Sequence, residues 1–486
     1  MVFNSLSFFL FFSIVLALYY SLRHHLQNRM LLVANYVFYG WWDWRFLSLI
    51  MIITAINYYC GKMIFLHNNR QGKKKYLYLS IAANLAPLAF FKYCNFFIGS
   101  FAQILSTFGW SVSLPVLHVL LPVGISFYTF QAMTYTIDIY YNKLKPVDDV
   151  LTFALYVSFF PQLLSGPIER ARELLPQIEK PRSFQKESFI SGLQLIYWGL
   201  FKKIFVADNL GVIVDRIYAA PSASGMEYIV ATWAFAWQLF CDFSGYTDMA
   251  RGVAKCMGFE LQRNFRQPYF VTNPSDFWRH WHISFSSWLR DYLYIPLGGN
   301  RFRKYMTYRN LMITMLLGGL WHGANWTFVL WGAFHGALLC LFRMARDFQL
   351  TAESKQHSPA IYLFKAFLMF QITCIGWFFF RATDIHQILM IFQQMWAFEF
   401  LSWTTDEKAL QALRDVLFFA GAPCIVMAAV ALKNASQSEE ALIGCSSDLA
   451  ILDKQPLVLK SAAYGVFSYL LCFYGAKAQS FIYFQF

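Results

Sequence analysis

Apolar runs dictate what this chain can fold into. They fall near residues 6–21, 30–61, 76–108, 114–140, 150–166, 189–206, 228–243, 308–342, 360–380, 387–401, 413–432 and 459–477. A helix crossing the roughly 30 Å hydrocarbon core of a bilayer needs about 20 predominantly apolar residues, and several of these runs approach that length. Of the 486 residues, 58% are hydrophobic and only 14% charged, whereas a soluble domain carries about a quarter charged residues. So much apolar surface exceeds what one soluble core can hide. The expected fold class is an all-α polytopic membrane protein, one integral-membrane domain over residues 1–486. We find no soluble domain, internal repeat or low-complexity linker, and the polar interruptions at 207–227, 349–359, 402–412 and 433–458 are expected to be loops.

The charges follow the same logic. The net charge of +13 comes from bunches between apolar runs, such as Lys73-Lys74-Lys75, Lys202-Lys203 and Arg301–Arg309. Cytoplasmic loops flanked by anionic lipid headgroups explain them, and nucleic acid is not an expected partner. The first run, Leu6 to Tyr20, has no basic residue before it and no small-residue cleavage site after it, so it is expected to stay as a transmembrane helix. Arg23, His24, His25 and Arg29 follow it, which places the N-terminus outside and residues 22–29 in the cytoplasm. Nine cysteines without a C-x-x-C pair suggest neither a disulfide framework nor a zinc knuckle; they read as small buried hydrophobes.

Two runs have awkward lengths. Residues 30–61 would make one helix of about 48 Å at 1.5 Å per residue, too long for one crossing and short for two. Gly40-Trp-Trp-Asp-Trp-Arg45 is expected to split them as an aromatic turn. Residues 308–342, bracketed by Arg301, Arg303, Lys304 and Arg309 before and by Arg343 and Arg346 after, pose the same problem. A break at the glycine-rich Trp321-His-Gly-Ala-Asn-Trp326 would resolve it. Irregular backbone at membrane depth survives only when buried in protein or lining a cavity, so His322 is expected to face one.

Between these lies a more polar stretch. Asn273 or Ser275 can cap a helix whose first turn holds Asp276, and Pro296 with Gly298-Gly299 stops it. Trp278, Trp281, Phe285 and Trp288 recur at helical spacing as one aromatic face, while Arg279, His282, Ser286 and Arg290 form a polar one; His280 falls on neither. One reading is an interfacial anchor with snorkelling arginines. The other makes His282 a polar group near a reaction centre, with Arg279 and Ser286 as candidate substrate contacts.

An isolated histidine in an apolar segment is more often a hydrogen-bonded structural residue than a catalyst. Around His322, however, Gly318, Gly319 and Gly323 permit close approach, while Trp321 and Asn325 offer further polar handles. Ionisable groups at membrane depth are costly and mark function by default. Desolvation disfavours imidazolium, so a neutral ring there can accept a proton from a hydroxyl, and general base catalysis of that kind contributes about 10²–10⁴-fold. A hydroxyl so activated can attack a thioester, which is acyl transfer. No G-x-S-x-G elbow, P-loop or H-E-x-x-H is present. His280, His282, His322 and His335 make no convincing metal site, because the first two point apart on a helix and no carboxylate pattern completes the set.

The run DFWRHWHISFSSWLRDYLYIPLGGNR followed by GGLWHGANWTFVLWGAFHG resembles the membrane-bound O-acyltransferases, in particular their bacterial branch of alginate O-acetyltransferases and teichoic acid D-alanine transfer proteins. FNSLSFFLFF, FYGWWDWRF, LPVGISFYTFQAMTYTIDIY, FFPQLLSGPIER and DFSGYTDMARG extend the resemblance over most of the chain. It implies a ring of tilted transmembrane and re-entrant helices around a central tunnel. It also implies that His322 of the WHG motif is catalytic, with His282 of WHIS as the second functional histidine; His335 is then packing. Family members commonly have arginine before that WH pair, where this chain has His280. The implied donor substrate is cytosolic acetyl-CoA, with no cofactor. The implied acceptor is an exopolysaccharide such as alginate, reached through a separate periplasmic SGNH-type partner at the bacterial inner membrane. D-alanylation of teichoic acid, acetylation of peptidoglycan and, from another class, a proton-coupled transporter or flippase remain alternatives.

Overall fold

The computed structural model describes residues 1–110, 120–220, 222–348, 358–396, 406–435, 456–476, 479 and 481–482, and its described elements are helical throughout. Contacts group the chain into two compact units, residues 1–196 with 247–262 and residues 197–246 with 263–486. Six helical runs are long and apolar enough to cross a membrane: His24–Leu66, Arg70–Thr107, Lys186–Tyr218, Trp326–Asp347, Pro359–Arg381 and Glu407–Leu432. The polytopic all-α expectation therefore holds.

In the first unit, helix α1 (Leu6–Ser21) shows how composition becomes placement. Ser5 caps it by accepting the Phe8 N–H at 3.2 Å. Phe8, Phe12, Val15 and Tyr19 form its buried stripe, while Leu6, Leu10, Ile14 and Leu18 recur every fourth residue on an exposed face. A helix apolar on both faces is one whose outer face meets lipid. Helix α2 (His24–Asp43) ends where the sequence predicts. Asp43 turns to extended backbone, accepts the Arg45 N–H at 3.0 Å and pairs with its guanidinium at 2.5 Å. Helix α3 (Leu47–Leu66) then starts anew, so two twenty-residue helices replace one over-long one. The unit continues with α4 (Arg70–Leu88), α5 (Cys94–Thr107), α6 (Ile125–Tyr140), α7 (Val150–Ser158), α8 (Phe160–Leu163) and α9 (Ala171–Glu179).

Two further helices, α10 (Lys186–Leu200) and α12 (Gly225–Cys256), carry the chain between the units. Between them, the expected loop at 207–227 is corrected by the structure: α11 (Asp208–Tyr218) fills its first half. Asp208, one of the polar residues that signal a loop here, is turned inward, where its carboxylate pairs with the buried Lys203 ammonium at 2.7 Å.

The second unit goes on through α13 (Pro274–His280), α14 (Ile283–Leu289), α15 (Lys304–His322), α16 (Trp326–Asp347), α17 (Pro359–Arg381), α18 (Ile385–Trp396), α19 (Glu407–Ala435) and α20 (Leu457–Tyr474). Helix α19 already begins at Glu407, so the loop expected at 402–412 is also shorter than the sequence suggests. The cause is a capping pattern, the Asp406 carboxylate accepting the Ala409 N–H at 3.0 Å. The expected loops at 349–359 and 433–458 fall mostly outside the described residues; Pro359 already opens α17 and Ala435 closes α19.

The break expected inside 308–342 is present as Gly323-Ala-Asn325, and α15 and α16 fold back on each other across it. Their contact is too close for side chains. A Cβ added at Gly319 would lie 2.2 Å from the Phe328 carbonyl oxygen, and one at Gly332 would lie 2.4 Å from that of Met315. Glycine at both positions is what lets the hairpin close.

Candidate active site

All six sequence-predicted site residues lie in the second unit, on α13 to α16 and the joints between them. His322 is the last residue of α15 and is buried. Four rings surround its imidazole at steep angles: Trp331 at 4.9 Å between centroids, Trp321 at 5.1 Å, Phe380 at 5.3 Å and Phe285 at 5.5 Å. The break that follows is held by Asn325. Its side chain accepts the Thr327 N–H at 3.1 Å, capping α16, and donates to the Thr383 carbonyl at 2.7 Å. Asn325 thereby fixes where α16 begins, three residues after His322.

The polar stretch is not the one continuous helix its periodicity predicts. It starts as expected, with Asn273 accepting the Asp276 N–H at 2.9 Å, but α13 stops at His280 and α14 begins at Ile283. His282 sits in the gap with a left-handed backbone, φ 42°. That conformation costs a non-glycine residue about 1–2 kcal/mol, and such strain persists only where the surroundings enforce it. Here the neighbouring segment does so. The Asn264 carbonyl accepts the Ile283 N–H at 2.9 Å, its side-chain oxygen accepts the Ser284 N–H at 3.2 Å, and the Arg266 N–H donates to the His280 carbonyl at 3.0 Å.

The break re-sorts the two faces. His282 leaves the polar one and enters the aromatic core, fully buried, with its ring stacked on Phe285 at 5.1 Å and Phe243 edge-on at 4.6 Å. Burial pushes its pKa down to about 3, so the ring is neutral. Phe285 and Trp321, stacked on each other at 4.2 Å, each contact both histidine rings. The pair singled out from sequence is thus brought into one aromatic cage.

The other candidates are placed differently. Arg279 is exposed and paired with Asp276 at 3.2 Å. The Ser286 hydroxyl donates to the Trp281 carbonyl at 2.9 Å, and its N–H to that of His282. Both serve the local fold as they stand. His280 turns back on its own helix, its Nδ1 2.8 Å from the Asp276 carbonyl. His335 is packed, as expected, against Trp331 at 4.9 Å and stacked on Phe277 at 5.8 Å. Sequence reasoning missed Trp331, nine residues along from His322, and also Phe243, Asn264 and Phe380, because nothing local marks a ring or an amide supplied from about 19 to 58 residues away in the chain.

Buried imidazoles in a ring-lined site are groups that can take and return a proton. Comparison with known proteins gives that chemistry its family. The model for MBOAT, membrane-bound O-acyltransferase family, matches residues 148–381, which include both histidines. The chain is 42% identical over 409 residues to the probable alginate O-acetylase of Azotobacter vinelandii, covering 84% of this chain and 80% of that one. It is 34% identical to the peptidoglycan O-acetyltransferase of Helicobacter pylori, over 78% and 76% of the two chains. With the teichoic acid D-alanyltransferase of Bacillus subtilis the identity is 25%, over 54% and 69%. Multi-pass helices, a break that seats a histidine and relatives matched over most of the length agree: the chain belongs to the membrane-bound O-acyltransferase family and is an acyltransferase.

Proposed function

We propose that this chain moves an acetyl group from cytosolic acetyl-CoA across the bacterial inner membrane for O-acetylation of an exopolysaccharide of the alginate type, with His322 as general base. The neutral imidazole takes the proton of the acceptor hydroxyl while the oxygen attacks the thioester carbonyl. Collapse of the tetrahedral intermediate breaks the C–S bond, and the imidazolium returns the proton to the departing thiolate. His282 is the second functional histidine, and a periplasmic SGNH-type partner protein carries the acetyl group on to the polymer. Trp321 lines the reacting centre by contact with both imidazoles. Asn325, Ser286 and Arg279 remain candidates for substrate contact.

The observation that carries this reading is His322 at the break of the α15–α16 hairpin, inside a cage that also holds His282. The acceptor class follows the relatives, which rank alginate acetylation above peptidoglycan acetylation and D-alanylation by identity. Incubating the purified chain with labelled acetyl-CoA and candidate periplasmic partners tests it. Label is expected on a partner and then on polysaccharide. Label on peptidoglycan, or transfer only from a D-alanyl carrier, would replace the acceptor or donor.

A further inference from the structure

A functional histidine is usually oriented by a hydrogen bond to its second ring nitrogen. His282 is not: among the described residues neither Nδ1 nor Nε2 has a hydrogen-bond partner. Its ring is held instead between two others, Phe285 stacked at 24° and Phe243 edge-on at 80°. Phe285 is the residue three places along, on the same short helix; of the rings supplied from elsewhere in the fold, Phe243 on α12 stands nearer at 4.6 Å than Trp321 on α15 at 6.1 Å.

Phe243 is itself held with unusual care. Phe265 meets it at 5.1 Å and Phe481 at 6.1 Å. Phe481 belongs to a segment anchored on both sides of it. The Lys203 ammonium donates to the Gln479 carbonyl at 3.2 Å, and the Asp242 carboxylate accepts the Ile482 N–H at 2.8 Å. Lys203, Asp242 and Asp208 form a buried cluster, with N–O distances of 2.8 Å and 2.7 Å. Burying three charges is a poor route to stability, because desolvation offsets much of the attraction, so such a cluster is better explained by the geometry it enforces. Here it fixes Asp242, the neighbour of Phe243 in sequence, and the backbone either side of Phe481.

We infer that Phe243 is the positioning residue of His282, and that the Lys203–Asp208–Asp242 cluster serves it by fixing Gln479 and Ile482, which flank Phe481. The inference rests on the reading of His282 as a functional histidine. Replacing Phe243 by leucine keeps the apolar contact and removes the ring edge. Phe243→Leu is expected to lower kcat about tenfold or more, in line with the sensitivity of catalysis to small misplacements. The KM for acetyl-CoA should stay within about twofold, because the ring orients a group and binds no donor. Phe481→Ala, one contact further out, should give a smaller loss of the same kind, and it carries the test if Phe243→Leu fails to accumulate in membranes.

The measurement is thiol release from acetyl-CoA by the purified full chain, alongside thermal melting. The ester content of exported polymer in cells, per unit of membrane-inserted chain, gives the same comparison independently of the donor. A kcat for Phe243→Leu and Phe481→Ala equal to wild type overturns the inference. So does a loss matched by an equal fall in melting temperature, since that is a packing effect. An unchanged His282→Ala overturns the reading beneath it instead.

Discussion

Two regions, the α3–α4–α6 packing of the first unit and the histidine cage of the second, treat buried polar groups in opposite ways. In the first, Asn57 on α3 ties its neighbours together: it accepts from Ser80 at 2.7 Å and Asn84 at 3.0 Å on α4, and donates to the Ile53 carbonyl at 2.8 Å. Ser80 also meets the Thr136 hydroxyl of α6 at 2.7 Å. Three helices are tied by short polar links, the usual glue of membrane bundles. In the second unit the histidines at α14 and α15 are packed on aromatic carbon, and His282 has no hydrogen-bond partner among the described residues. A satisfied polar group stabilises; a desolvated group left with its bonding capacity is poised for a substrate. The difference separates framework from site more sharply than exposure does, since both sets are buried.

Removing His322 should break this contrast most severely. His322→Ala is expected to reduce acyl transfer by about 10²–10⁴-fold, the contribution of a general base, while melting stays close to wild type. Wild-type-like polysaccharide acetylation in that variant would end the base assignment. His282 comes next. Asparagine tolerates the left-handed backbone, so His282→Asn should fold as well as wild type and still lose about 10–100-fold in turnover, within the range for an acid–base group. Full turnover with asparagine there would make the strained histidine a structural residue.

What could be read from the sequence follows a physical line. Helix lengths and lipid exposure are local properties, and α1 covers 6–21 as its apolar run does. Breaks enforced by small or capping residues are also local, and those at Asp43 and at Gly323–Asn325 stand where length arguments put them. The readings that failed depended on a partner far along the chain. Residues 208–218 look like a loop until Lys203 turns out to be buried beside Asp208. The 277–290 pattern is helical in spacing, but Asn264 and Arg266 claim the backbone of 280–284 and break it. His282 was therefore identified as a candidate and assigned to the wrong face. Phe243, which supplies its aromatic clamp, lies within DFSGYTDMARG, but nothing in that stretch marks it as a partner of His282.

Glu169, in the FFPQLLSGPIER stretch of the first unit, sharpens the comparison through pH. Its carboxylate is buried and accepts the Gln262 N–H at 2.6 Å. Burial pushes its pKa up to about 8, with the Gln262 hydrogen bond opposing and the Glu173 charge adding to the rise. The folded chain thus binds a proton that the unfolded chain, with its ordinary carboxyl, releases at lower pH. The stabilisation is complete below the unfolded pKa of 4.5 and is lost as pH rises through about 8. Melting temperature should fall over that window in wild type, and Glu169→Gln, which keeps an oxygen for Gln262, should flatten the slope. An identical slope in the variant would assign the pH dependence to other groups.

The smallest effect is expected where the framework is cut. Asn57→Ala leaves Ser80 and Asn84 without their shared acceptor. An orphaned buried donor costs about 1–3 kcal/mol in soluble proteins, whereas interhelical hydrogen bonds in membranes average about 0.6 kcal/mol, because the separated helices find other partners. We therefore expect a loss near 1 kcal/mol, read as a drop of a few degrees in melting. Turnover should remain within about twofold of wild type, since no residue of this network enters the aromatic cage. A collapse of turnover with melting intact would show that the polar ties of α3, α4 and α6 do more than hold helices together. The separation of framework from site would then have to be redrawn with Asn57 on the other side.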